Sequence, residues 1–137
     1  MQSILPFDEL NRLDDEIRQR FGDAQLTDRR EEEEDILDEL LDLFLLAYAM
    51  GNSVTNENLA SNYEPSVDDV MKVVDEKVAG KTWRERIEEY FANGGTGADL
   101  ARIADTETHR IANQAAYETA KASGATEKTW HCMMLPT

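Results

Sequence analysis

Asp105, Glu107 and His109 are the residues of this chain whose types and spacing come nearest to chemistry, as a metal site or an acid–base pair. On a helix, Asp105 and His109 lie one turn apart on a common face, while Glu107 points away from both. Two ligands leave a zinc site incomplete, and the other candidates, His131 and Cys132, are distant in the sequence. That pair could be a thiol beside its base, yet neighbours in an extended segment point to opposite faces and do not readily share a proton. Ala79-Gly80-Lys81-Thr82 copies the tail of a phosphate-binding loop. The first glycine of that motif falls at Asp75, an anion where phosphate should lie, and the segment before it has helical rather than strand spacing. Trp83, Tyr90 and Phe91 could stack on bases, but their helical spacing marks them as core. The sequence therefore offers no catalytic, cofactor-binding or metal-binding residue, and the chain is expected not to be an enzyme. Polar ladders along one helix explain Asp105, His109 and Asn113, and Glu107, Arg110, Gln114 and Glu118, more simply.

The element carrying those ladders spans about Ala98 to Ser123. Leu100, Ile103, Ala104, Ile111, Ala112 and Ala115 follow the 3.6-residue period, and Ala112, Ala115, Ala116 and Ala120 let a neighbour approach closely. Thr96 or Gly97 starts the helix, Asp99 suits the positive end of its dipole, and Gly124 fits a left-handed cap. Upstream, Pro6 opens a helix to Phe21 with Leu10, Leu13, Ile17 and Phe21 on one side. Thr27 is placed to cap a second helix whose early turns carry Asp28 and Glu31 to Asp35. The acid run reads as a solvated helix start, with a docking surface for a basic partner as the alternative. From Leu43 to Met50 this helix is apolar all round, which predicts burial in the bundle or cover by a partner; Gly51-Asn52 ends it, and 53–64 reads as a loop. Ser66, with Asp69 three residues on, caps a third helix bearing Val67, Val70, Met71, Val74 and Val78, stopped by Gly80. Thr82 and Glu85 form a capping box for a fourth, with Trp83, Ile87, Tyr90 and Phe91 as its buried stripe. The expected fold is all-α: a bundle of about five helices with a long C-terminal helix and a short extended tail.

Composition sets further bounds. The net charge is -15 over 137 residues, and it is uneven: residues 1–69 hold 19 acids and 5 bases, whereas 70–137 hold 10 and 9. A front half so acidic repels phosphates and argues against duplex DNA binding, and it suits solubility or a basic partner. One cysteine excludes an internal disulfide and fits a reducing compartment. The opening MQSILPFDEL lacks the basic flank and apolar run of a signal peptide, and no apolar run is long enough to span a bilayer, so no membrane association is expected.

Three segments are expected: an acidic helical part over 1–64, a helical region over 65–130 and an extended tail over 131–137. The second carries a resemblance. Arg102-Ile103-Ala104-Asp105-Thr106-Glu107-Thr108, then Asn113-Gln114-Ala115-Ala116-Tyr117, Lys121-Ala122-Ser123-Gly124 and Lys128-Thr129-Trp130 resemble the phage head morphogenesis family, minor head proteins of the Mu F type. Gly80 to Ile87 adds weaker support. That family usually has Arg directly before its Thr-Glu where this chain has Asp105, so Arg102 or Arg110 must supply any cation there. Its members also continue past the Lys-x-Trp strand into a β-rich region, whereas this sequence stops at Thr137. The resemblance implies a structural assembly protein of a phage or prophage. It would act near the portal, with portal or other head proteins or further copies of itself as partners, located in the virion and assembled in the bacterial cytoplasm. The alternatives are a helical segment belonging with a toxin-like transferase domain, or a free acidic helical protein that binds a basic partner.

Overall fold

The computed structural model describes residues 6–124. These form α1 (Pro6–Phe21), two 3₁₀ turns (Leu26–Asp28 and Arg30–Glu32), α2 (Glu33–Leu59), α3 (Val67–Val74), α4 (Trp83–Asn93) and α5 (Gly97–Ala122). The all-α bundle with a long last helix stands. The extended tail expected over 131–137 lies outside the described residues, as do His131 and Cys132.

The two long helices α2 and α5 make the most extensive contact and form the spine. At the C-terminal end of α1, Arg20 reaches Glu39 at 2.8 Å near the start of α2, so α1 and α2 run antiparallel. α1 also runs antiparallel to α5, because Ile17 and Phe21 meet Gly97 while the Phe7 ring lies 4.9 Å from that of His109. Hence α2 and α5 share a direction, which the chain achieves by inserting α3 and α4 between them. Leu13, Ile17, Leu37, Leu40, Phe44, Trp83, Ile87, Phe91, Leu100 and Ile111 fill one continuous core. Trp83 meets Phe44 edge-on with centroids 4.9 Å apart, and its Nε1–H donates to Asp75 Oδ1 at 3.3 Å, so the indole is core with its polar atom satisfied.

Several boundaries differ from the sequence reading. Thr27 caps nothing: it sits in the first 3₁₀ turn, and α2 begins at Glu33. Gly51-Asn52 does not end α2. Gly51 is buried against α5, where a Cβ would run into the Ala112 carbonyl oxygen and come within 3.0 Å of Ala115 Cβ. The glycine is there for close helix approach, which outweighs its poor helix propensity. Most of the expected loop over 53–64 is therefore helical, up to a left-handed Ala60. Its asparagines act as ties. Asn56 receives the Tyr63 N–H at 3.0 Å and donates to the Tyr63 carbonyl at 2.8 Å, and Asn52 donates to the same carbonyl and to Thr119 Oγ1 at 2.8 Å.

α3 stops at Val74 rather than at Gly80, and Val67 lies exposed instead of joining Val73 and Val74 inside. Within the apolar run of α2, Leu43, Phe44, Ala47 and Tyr48 are buried whereas Leu45 and Ala49 face outward. That run is thus more one-sided than its composition suggests. Caps fall where expected: Ser66 with Asp69 and Thr82 with Glu85 are complete boxes, and Thr96 N–H donates to Asp99 Oδ2 at 2.9 Å at the head of α5.

Candidate functional site

Asp105 and His109 meet as their spacing predicts, with His109 Nδ1 3.7 Å from Asp105 Oδ1, but Glu107 does not join them. Asp105 is exposed, and His109 turns back on its own helix, with Nδ1 2.9 Å from the Asp105 carbonyl oxygen and its ring against Phe7. Glu107 points elsewhere, as its spacing requires, but it points inward: only 1 % of its side chain is exposed.

What surrounds Glu107 is the main polar feature of the interior. Arg110, one turn along α5, presents Nε at 3.1 Å and Nη2 at 3.0 Å to its two carboxylate oxygens, a bidentate fork. From α4, Arg86 Nη2 lies 3.4 Å from Glu107 Oε1. The Arg86 Nε and Nη2 atoms are buried and have no hydrogen-bond partner among the described residues. Arg110 also donates to the Val73 carbonyl at 2.9 Å and the Val74 carbonyl at 3.2 Å, the orphan acceptors ending α3, and it meets Glu76 at 3.1 Å. One arginine thereby caps α3, and one carboxylate joins α4 to α5. The geometry suits a weld of three helices. It holds no substrate-facing nucleophile or base, since both carboxylate oxygens are engaged and closed off from solvent.

Of the two cations weighed in place of the family's arginine, Arg110 pairs with Glu107 three residues before it, while Arg102 pairs with Asp99 at the helix start rather than with Asp105. Arg86 was not foreseen; it follows Thr82 by one turn and, in sequence terms, looks like an ordinary surface residue of α4.

The Gly80-Lys81-Thr82 segment is not a phosphate loop. Val78 and Lys81 exchange backbone hydrogen bonds at 2.8 and 3.2 Å around a two-residue turn, with Ala79 at φ 54° and Gly80 at φ 84°. Lys81 pairs with Glu89, and Thr82 is consumed as the α4 cap. Thr82 N–H holds the Glu85 carboxyl below its usual range.

A second polar seam lies between α2 and α5, where Tyr48 donates to Glu118 Oε1 at 3.3 Å and Gln114 donates to Glu118 Oε2, also at 3.3 Å. Burial, then the Glu118 charge, pushes the Tyr48 phenol well above its ordinary value, so it stays a neutral donor. The ladder expected from Gln114 to Glu118 is present. Among the described residues no three His, Cys, Asp or Glu side chains could hold a metal ion together, and no helix is long and apolar enough to cross a membrane. The chain matches no protein-family model, no curated protein and no solved structure at a significant level.

Proposed function

We propose that the chain is the helical part of a phage or prophage minor head protein, a structural component that works with portal or other head proteins during assembly. The carrying observation is where the resembling residues lie on α5. Of the resembling residues, Ile103, Ala104, Glu107, Thr108, Ala115 and Ala116 are buried in the bundle, while Arg102, Asp105, Thr106 and Tyr117 are exposed, so the series supplies both packing and surface of α5. The absent arginine before Thr106 is compensated, because Arg110 and Arg86 supply the cations that Glu107 needs. On this reading the interior polar groups serve construction rather than turnover, and the activity is binding in an assembled head.

The reading expects a portal gene near this one, and the test is co-expression with that gene's product, followed by affinity purification through a tag on this chain. Recovery of the portal protein at fixed stoichiometry is the expected result. Failure to recover it, with both proteins soluble, overturns the proposal.

A further inference from the structure

The seam between α1 and α2 leaves a groove of about 400 Å³ floored by Leu13, Leu43 and Leu46 and rimmed by Glu9, Arg12, Glu39 and Asp42. Leu46 is only half-buried, and Leu45, Leu46 and Ala49 fall three, four and seven residues after Asp42 along α2, so apolar surface continues from the floor beside that acid. Leu45 and Ala49 are exposed.

The rim carries more acid than its cations answer. Arg12 is engaged by Glu9 at 2.9 Å and Glu16 at 3.4 Å. Arg20 is shared among Glu39 at 2.8 Å, Glu16 at 3.7 Å, Asp35 at 3.9 Å and Glu32. Asp42 has no ion pair among the described residues. Partial burial, and then the neighbouring Glu16, raise the Glu39 carboxyl above its ordinary value against the opposing pull of Arg20 and Arg12.

We propose that this groove docks a cationic amphipathic helix from a partner protein, its apolar stripe lying on Leu13, Leu43 and Leu46 and its Lys or Arg side chains meeting Glu9, Glu39 and Asp42. Charge complementarity selects this occupant. A second copy brings a net charge of -15 to the same acidic field, and nucleic acid brings phosphates. A helix is the form whose side chains at i, i+3, i+4 and i+7 fit a groove between two helices, and flanking basic residues would speed encounter as well as fix register. The proposal stands apart from the phage reading, because it follows from the groove and its rim whatever larger assembly the chain joins.

The probe is a fluorescein-labelled synthetic peptide of about 18 residues, five helical turns, with Leu on one stripe and Lys elsewhere. Its comparison is a peptide of the same composition in scrambled order, and both are titrated with the full chain by fluorescence anisotropy. The ordered peptide is expected to bind at micromolar Kd and the scrambled one about tenfold more weakly or worse. Leu46→Asp and Asp42→Lys should each weaken the ordered peptide about tenfold, whereas Glu88→Lys, the same charge change on exposed α4, should shift it about twofold at most. Leu46→Gln carries the test if Leu46→Asp loses its helical circular dichroism.

Equal binding of the two peptides, or equal loss in Asp42→Lys and Glu88→Lys, would reduce the effect to unspecific charge attraction and overturn the proposal. So would self-association of the parent chain in sedimentation that Leu46→Gln abolishes, since the groove would then belong to a second copy.

Discussion

Glu107 and Arg20 are mirror images in charge balance. Glu107, 1 % exposed, is one carboxylate held by two guanidiniums, while Arg20, 21 % exposed, is one guanidinium serving Glu16, Glu32, Asp35 and Glu39. Depth explains the inversion. In the interior an ion's lost hydration must be replaced by fixed partners, so cations converge on the single acid. At the α1/α2 seam water still screens the carboxylates, and acids can accumulate around one arginine at modest cost. The first cluster ties α4 to α5; the second leaves Asp42 without an ion pair among the described residues.

The sharpest way to break this comparison is to neutralise each centre in turn. Glu107→Gln leaves the buried Arg86 nitrogens without a counter-charge and should cost about 3–5 kcal/mol, read as a drop in the urea midpoint. Arg20→Gln should cost about 1 kcal/mol or less, and the loss should shrink in high salt. Equal losses would mean that burial does not separate the two clusters. Part of the Glu107→Gln loss should return in Glu107→Gln/Arg86→Met, because the second change removes the stranded cation.

The same contrast holds for packing. The α2/α5 seam has no room at Gly51, whereas the α1/α2 seam is open beside Leu46. Gly51→Ala adds one methyl group against the Ala112 backbone and should destabilise by about 1–3 kcal/mol, despite alanine's better helix propensity. Leu46→Phe adds far more volume yet should stay within about 0.5 kcal/mol of the parent, because the ring has a groove to enter. Thermal unfolding of both variants checks the pair. A Gly51→Ala protein as stable as the parent would show that α2 and α5 can move apart freely.

What was legible in the sequence follows from the range of the interactions. The capping boxes at Ser66 and Thr82, the 3.6-residue stripes of α1 and α5 and the Glu107–Arg110 pair need only residues three or four apart, and each is present. Gly51 was misread because a lone glycine looks like a stop signal until its partner is known. That partner is the Ala112 and Ala115 face, whose fitness for close approach was itself readable. The asparagines around it failed for the same reason: Asn52 and Asn56 look like loop residues, and only the Tyr63 and Thr119 groups brought to them by the fold give them work inside a helix. Arg86 was missed because nothing local distinguishes it from Arg84. Only the crossing of α4 over α5 decides which arginine meets the buried acid.

The smallest expected effect is also the most specific, and it concerns the surplus charge at the α1/α2 seam. The Glu39 carboxyl is raised above its ordinary value of 4.5 by partial burial and by Glu16, despite the hydrogen bond from Arg20. The charged groups acting on it are Glu16, Arg20 and Arg12 from α1, Glu9 and Asp42 line the same groove, and Glu32 and Asp35 share its partner Arg20. A carboxyl whose folded value is raised works against the folded state while it is charged. That penalty is complete above the folded value and vanishes as pH falls below 4.5, where folded and unfolded chains are both protonated. Glu39→Gln removes the charge at every pH and keeps an oxygen to accept from Arg20. The variant should therefore match or slightly exceed the parent at pH 7, by about 0.5 kcal/mol or less given solvent screening, and its advantage should fade toward pH 4. Urea unfolding of both proteins at the two pH values measures it. A variant less stable than the parent by about 1 kcal/mol at pH 7 would mean that the Arg20 pair outweighs the crowding of acids, and that the rim is already neutralised from within.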